Sequence, residues 1–219
     1  MRPMHPASGM DGASGDRHPR VSLWDGASAQ SLAHAMQPPV VYCVEQGLPD
    51  ALLQVGGLFH SLGLAITTRA AFRLPVANAF IDAVGQRLHL GADLRVRMLT
   101  VLHEAVMNAV LHGNLGLGSS LRDSFAHMAR LQRIIERRLA DTRRGGRIVF
   151  VEASWTASML HLLVRDCGEG FVKDVAFGMP DADCGGSRGG GRGLCIIEQL
   201  ADSVEYLNNG STIRIGFAR

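Results

Sequence analysis

Three side chains that can do chemistry recur every four residues in the stretch Leu102–Asn114: the acid Glu104, the amide Asn108 and the imidazole His112. On a helix of 3.6 residues per turn, positions i, i+4 and i+8 share one face. Val101, Leu102, Ala105, Val106, Ala109 and Val110 cover the rest of the circumference, so the helix reads as buried with one polar line. Leaving such groups buried and unpaired costs about 1–3 kcal/mol each. Something is therefore expected to lie against that line. An acid there can take a proton, and an amide can ligate a hard cation or bind an anion's oxygens.

Two glycine-rich segments downstream point to the occupant. Asp166-Cys167-Gly168-Glu169-Gly170-Phe171 places a carboxylate at a strand end before a turn. Acid-and-glycine turns follow many strands, so alone this motif is weak, and an Asx turn accounts for it equally. About twenty residues on, Gly189-Gly190-Gly191-Arg192-Gly193-Leu194 opens a helix, where bare backbone amides and a helix N-terminus receive phosphate. Taken together, the three segments indicate a nucleotide and its metal. Met98, Met107 and Met128 fall at helical spacing and read as core.

The elements that must position these residues follow from periodicity. Residues 1–39 are rich in Gly, Ser, Ala, Pro and His, end in Pro38-Pro39, and are expected to form a flexible arm. Residues 40–68 read as a short β-α-β extension, with a strand at Val40–Val44, a helix from Asp50 to Leu62 and a strand at Leu64–Thr68. From 69 to 219 the expected order starts with a short strand at Phe72-Arg73-Leu74-Pro75, a helix through Phe80, Val84 and Leu88, and a long helix from Asp93 to His112. A further helix should start near Ser120 and Asp123, with an apolar stripe running to Leu139. Arg147–Ser154 and Met159–Asp166 read as a hairpin, Gly193–Ala201 as a helix, and Val204–Leu207 and Thr212–Phe217 as a hairpin around Asn208-Asn209-Gly210-Ser211. The fold class is α+β: a two-layer α/β sandwich, its mixed and mostly antiparallel sheet covered by helices on one face.

Composition narrows the class. In 219 residues the hydrophobic fraction is 47%, which suits a globular chain, and no apolar run approaches the roughly 20 residues of a membrane span. Met1–Arg20 carries no apolar segment of secretory type, so a cytoplasmic protein is expected. A net charge of +2 gives no reason to expect nucleic acid. The local cluster Arg130, Arg133, Arg137, Arg138, Arg143, Arg144 and Arg147 reads first as a solvated helix face and second as a site for an acidic protein partner. Cys43, Cys167, Cys184 and Cys195 form no C-x-x-C pair and are expected to be free thiols.

The order E-x-x-x-N, D-x-G-x-G, G-x-G-L resembles the ATP-binding (Bergerat, or GHKL) fold shared by gyrase, heat-shock chaperone ATPases, histidine kinases and mismatch-repair proteins. Phe72-Arg73-Leu74-Pro75, Asn108-Ala109 and His112-Gly113-Asn114 look most like the anti-sigma-factor serine kinases. The likeness covers about Arg69–Arg219. The long arginine-bearing helix is closer to the version attached to stress-response phosphatases and regulators. This resemblance implies ATP and Mg²⁺ as cofactors, with Asn108 holding the metal and Glu104 as the catalytic acid that orients or deprotonates the attacking group. It implies that Asp166 accepts the adenine amino group, and that Gly168 and Gly170 allow the base to approach closely. Gly191, Gly193 and Leu194 match the phosphate side, and Thr212 a hydroxyl near the adenine end. Arg188 and Arg192 are candidates for phosphate contact or for exposed lid positions. His112 is expected to cap the helix or bond a loop. The implied function is a protein serine/threonine kinase acting on an antagonist in a partner-switching pathway, with a sigma factor or anti-sigma antagonist as partner. The alternatives are a non-catalytic ATP-dependent interaction switch and the ATPase module of a histidine-kinase-like signalling protein. His103 as a phosphoacceptor is set aside, because it lies inside the asparagine motif itself. Oligomeric state, a homodimer included, stays open at this level.

Overall fold

Strict alternation builds the centre of the sheet. In β4 (Ile148–Trp155), Val149, Val151 and Ala153 point inward; in β5 (Met159–Arg165), Leu160, Leu162 and Val164; in β7 (Thr212–Ala218), Ile213, Ile215 and Phe217. Each strand thus offers one apolar face to helices. The computed structural model describes residues 20–48, 61–117, 125–170 and 192–219. Among them seven strands form one sheet in the order β1-β2-β3-β4-β5-β7-β6, where β1 is Val21–Trp24, β2 Tyr42–Glu45, β3 Ser61–Thr67 and β6 Ser203–Leu207. β1, β2 and β3 run parallel, and the remaining pairs are antiparallel. This is the expected α+β sandwich.

The helices are α1 (Ala29–Ala35), α2 (Thr68–Arg73), α3 (Val76–Gly85), α4 (Ala92–Asn108), α5 (Phe125–Ala140), α6 (Thr142–Gly145) and α7 (Arg192–Leu200). A single large core joins them to one sheet face through Phe80, Met98, Leu102 and Ile197 on the helices and Leu64, Val151, Leu162 and Phe217 on the strands. A smaller cluster of Tyr42, Val44, Ala65 and Phe150 lies on the opposite face.

Four expectations are corrected here. Within the supposed arm, residues 21–24 and 29–35 are regular elements, and Trp24, Leu32 and Met36 are buried in the main core. Three large apolar side chains anchored at irregular spacing are enough to hold a segment that lacks periodicity. Phe72-Arg73-Leu74-Pro75 is not a strand: Phe72 and Arg73 finish α2, and Leu74 takes extended φ/ψ (−111°, 151°) because it precedes Pro75. Thr67 starts that helix, its Oγ1 accepting a hydrogen bond from the Ala70 amide at 3.2 Å. Leu62, expected in a helix, belongs to β3, while the rest of that helix, 50–60, lies outside the described residues. Finally, Cys195 is disulfide-bonded, whereas Cys43 and Cys167 are free. Cys184 lies outside the described residues.

Candidate nucleotide site

The long helix does not remain α-helical to His112. It changes at Ala109 into a π-helical segment, Ala109–Asn114, closed by Leu115 N–H donating to Val110 O at 2.9 Å. His112 lies within this segment, and its ring is engaged there. Its Nδ1 lies 2.7 Å from Leu117 O, which agrees with the loop-bonding role expected of it. Glu104 and Asn108 meet a common neighbour at Gly193, as their shared face requires.

Those two residues, both half-buried, face the first turn of α7. A Cβ added to Gly193 would stand 2.7 Å from Glu104 Oε2 and 3.4 Å from each terminal atom of the Asn108 side chain. Only glycine lets the backbone of α7 come so close to the pair. Asn108 Nδ2 is fully buried with no hydrogen-bond partner, and Glu104 makes no hydrogen bond or ion pair among the described residues. A buried amide left unsatisfied marks a place where a polar group is meant to sit. Arg97 of α4 fixes α7 from its other end, Nε donating to Leu200 O at 2.8 Å and the guanidinium pairing with Asp202 at 3.1 Å. Arg192, the first residue of α7, is exposed; Leu194 is half-buried against the core. Gly191 and Arg188 lie outside the described residues.

Across from α7, the end of β5 delivers Asp166 to the π-helical segment. Asp166 N–H donates to Ser211 O at 3.0 Å, and Oδ1 accepts from Gly168 N–H at 2.7 Å. Burial pushes its carboxyl up to about 6, opposed by the Gly168 hydrogen bond and the Arg147 charge. Gly113 allows this placement: a Cβ there would lie 2.3 Å from Asp166 Cγ and 2.5 Å from both oxygens. At Gly170 the backbone has φ +78°, and a side chain would run into Asn209 O at 2.0 Å. Asn208, Asn209 and Gly210 all take left-handed φ, which forms the expected hairpin turn. Thr212 is buried beside it, its Oγ1 accepting from Asn208 Nδ2 at 3.1 Å. The described candidates therefore converge on one edge of the α/β sandwich, with Glu104, Asn108 and Gly193 on one side and Asp166, Gly168, Gly170 and Thr212 on the other.

One hub was missed from sequence. Asn114 is fully buried, its Nδ2 donating to Thr68 Oγ1 (2.8 Å) and Ile148 O (3.0 Å), while its Oδ1 accepts from Cys167 N–H at 2.7 Å. Arg147 donates to its main-chain oxygen at 3.0 Å. Asn114 thereby ties the Asp166 turn to β4 and α2. In sequence a Gly-Asn pair after a helix reads as a C-terminal stop, which conceals this second task.

A family model described as the histidine kinase-like ATPase domain matches residues 66–217. The chain belongs to this family. A comparison with curated proteins found no match. Histidine kinase-like ATPase domains bind ATP, and the geometry suits a nucleotide: a half-buried carboxylate packed against glycines, a buried amide nitrogen with no partner among the described residues, and a helix whose first turn carries Gly193. No helix among the described residues is long and apolar enough to cross a membrane.

Proposed function

We propose that this ATPase domain works as a cytoplasmic protein serine/threonine kinase of the anti-sigma-factor type, phosphorylating an antagonist in a partner-switching pathway. The observation that carries the reading is Glu104: a carboxylate without a partner among the described residues, one turn before Asn108 and beside Gly193 in the first turn of α7. An amide beside phosphate oxygens is enough to bind a Mg-nucleotide, whereas the acid is useful to a catalyst.

In this reading Asp166, ionised, accepts a hydrogen bond from the adenine amino group; Gly113 and Gly168 leave room for its carboxylate, and Gly170 lets the following turn close on Asn209. Asn108 contributes its amide oxygen to Mg²⁺. Among the described residues no group of three His, Cys, Asp or Glu side chains could hold a metal unaided, which suits an ion that binds through one or two side chains together with phosphate oxygens. The first amides of α7 receive phosphate oxygens, with Arg192 placed to add charge. Bound Mg-ATP supplies the phosphoryl group, which passes to a serine or threonine oxygen and leaves ADP. Glu104 accepts the proton of that hydroxyl, a role worth about 10²–10⁴ in rate.

The test is incubation of the chain with labelled Mg-ATP and candidate antagonists or sigma factors, comparing Glu104→Ala. Label on a serine or threonine of the partner, absent with the variant, is expected. ATP binding without transfer from the wild type to any candidate would overturn the kinase reading and favour a non-catalytic nucleotide switch.

A further inference from the structure

Helix α5 carries a second feature that the nucleotide chemistry does not use. Arg130, Arg133 and Arg137, at i, i+3 and i+7, share one exposed face and line a surface depression of about 410 Å³ together with Ile134. Three neighbouring arginines are already engaged: Arg138 donates to Leu115 O and Gly116 O, Arg144 to Leu115 O, and Arg147 to Asn114 O, while Arg143 lies beyond α5 on α6. The three that line the depression are not. Among the described residues none of them meets a carboxylate, and the only bond any makes is a long one, Arg133 Nε to Ala129 O at 3.3 Å. Glu136, three residues from Arg133, pairs instead with Arg73 at 3.5 Å. Like charges at these spacings destabilise a helix, so the arrangement costs stability while it stays unpartnered.

The dimensions and chemistry select an occupant. Seven residues of helix span about 10 Å, the length of three or four extended residues of a peptide. Guanidinium forks pair bidentately with carboxylates, and the side chain of Ile134, packed at its base against the core, offers an apolar floor between them. A nucleic acid would require a longer run of unengaged cations, and the chain's net charge is only +2. We propose that this face of α5 docks a partner protein through a short segment in which carboxylates flank one apolar side chain. None of the four residues belongs to the nucleotide site, so this docking surface stands or falls independently of the kinase reading.

The experiment uses the full chain and fluorescence anisotropy with a labelled peptide, Asp-Glu-Leu-Glu-Asp. Its comparators are the amide analogue Asn-Gln-Leu-Gln-Asn and a single-stranded oligonucleotide. The acidic peptide should bind about tenfold or more tighter than the amide analogue and weaken as salt rises. Combined Arg130→Glu, Arg133→Glu and Arg137→Glu should abolish the preference while ATP affinity stays that of the wild type. Arg133→Glu alone, reducing binding several-fold, is the check should the triple variant misfold. Equal affinity for the two peptides, tighter binding of the oligonucleotide, or undiminished peptide binding by a folded variant would each overturn the proposal.

Discussion

Replacing Gly113 with alanine tests the adenine side of the site without touching a polar group. The backbone there is π-helical with ordinary negative φ, so alanine fits the main chain, and Gly→Ala in a helix is worth about 0.5–1 kcal/mol in its favour. The new methyl, however, would stand 2.3 Å from Asp166 Cγ and 2.5 Å from its oxygens. Ordinary contact between carbons is about 3.5–4.0 Å, so the carboxylate must withdraw by about 1 Å. Such a shift breaks the 2.7 Å hydrogen bond from Gly168 and, on the proposed assignment of Asp166, takes the acceptor away from the adenine amino group. A charge-assisted hydrogen bond contributes about 1.5–3 kcal/mol, so ATP should bind about 10- to 150-fold more weakly. The relief from helix propensity offsets part of the steric cost, and the unfolding midpoint should move by only a few degrees. Titration calorimetry with ATP and thermal unfolding of the same preparation make the comparison. Wild-type ATP affinity in Gly113→Ala would refute the assignment of Asp166 to the base.

Asp166 also yields a pH dependence with a definite sign. Its folded carboxyl titrates at about 6 against an ordinary 3.8, so the ligand-free fold is favoured by its protonation. That contribution is full below the ordinary value and is lost as pH rises through 6. Asp166→Asn should therefore raise the unfolding midpoint of the ligand-free chain at pH above 6 relative to wild type and lose this advantage near pH 4, a difference that thermal scans across pH will show. ATP affinity runs the other way: in the wild type it should fall as pH drops below about 6, and in Asp166→Asn it should be weak and flat in calorimetry. Glu104→Gln should cut label transfer by about 10²–10⁴ while ATP affinity stays within a few-fold, as read by paired transfer and binding assays. Asn114→Ala removes a buried side chain with three hydrogen bonds and should destabilise the fold by about 2–4 kcal/mol in denaturant unfolding.

What was legible in the sequence was whatever covalent geometry alone imposes. The four-residue interval from Glu104 to Asn108 puts both on one side of any α-helix, and alternation in β4, β5 and β7 sets which side chains face the helices, whatever packs against them. The left-handed preference of Asn and Gly marks the turn at 208–210 in the same local way. Contacts between distant segments decided the rest. Trp24, Leu32 and Met36 order a stretch without periodicity because the core reaches it. Pro75 restrains the residue before it but leaves α2 free to form, which is why a strand-like string became a helix. The π-helical turn at 109–114, and the close approaches that demand glycine at 113 and 193, exist only once β5 and α7 are packed against α4 and its extension. Tertiary packing thus set Glu104 and Asn108 against Gly193 of α7 and gave His112 a bond to the Leu117 carbonyl.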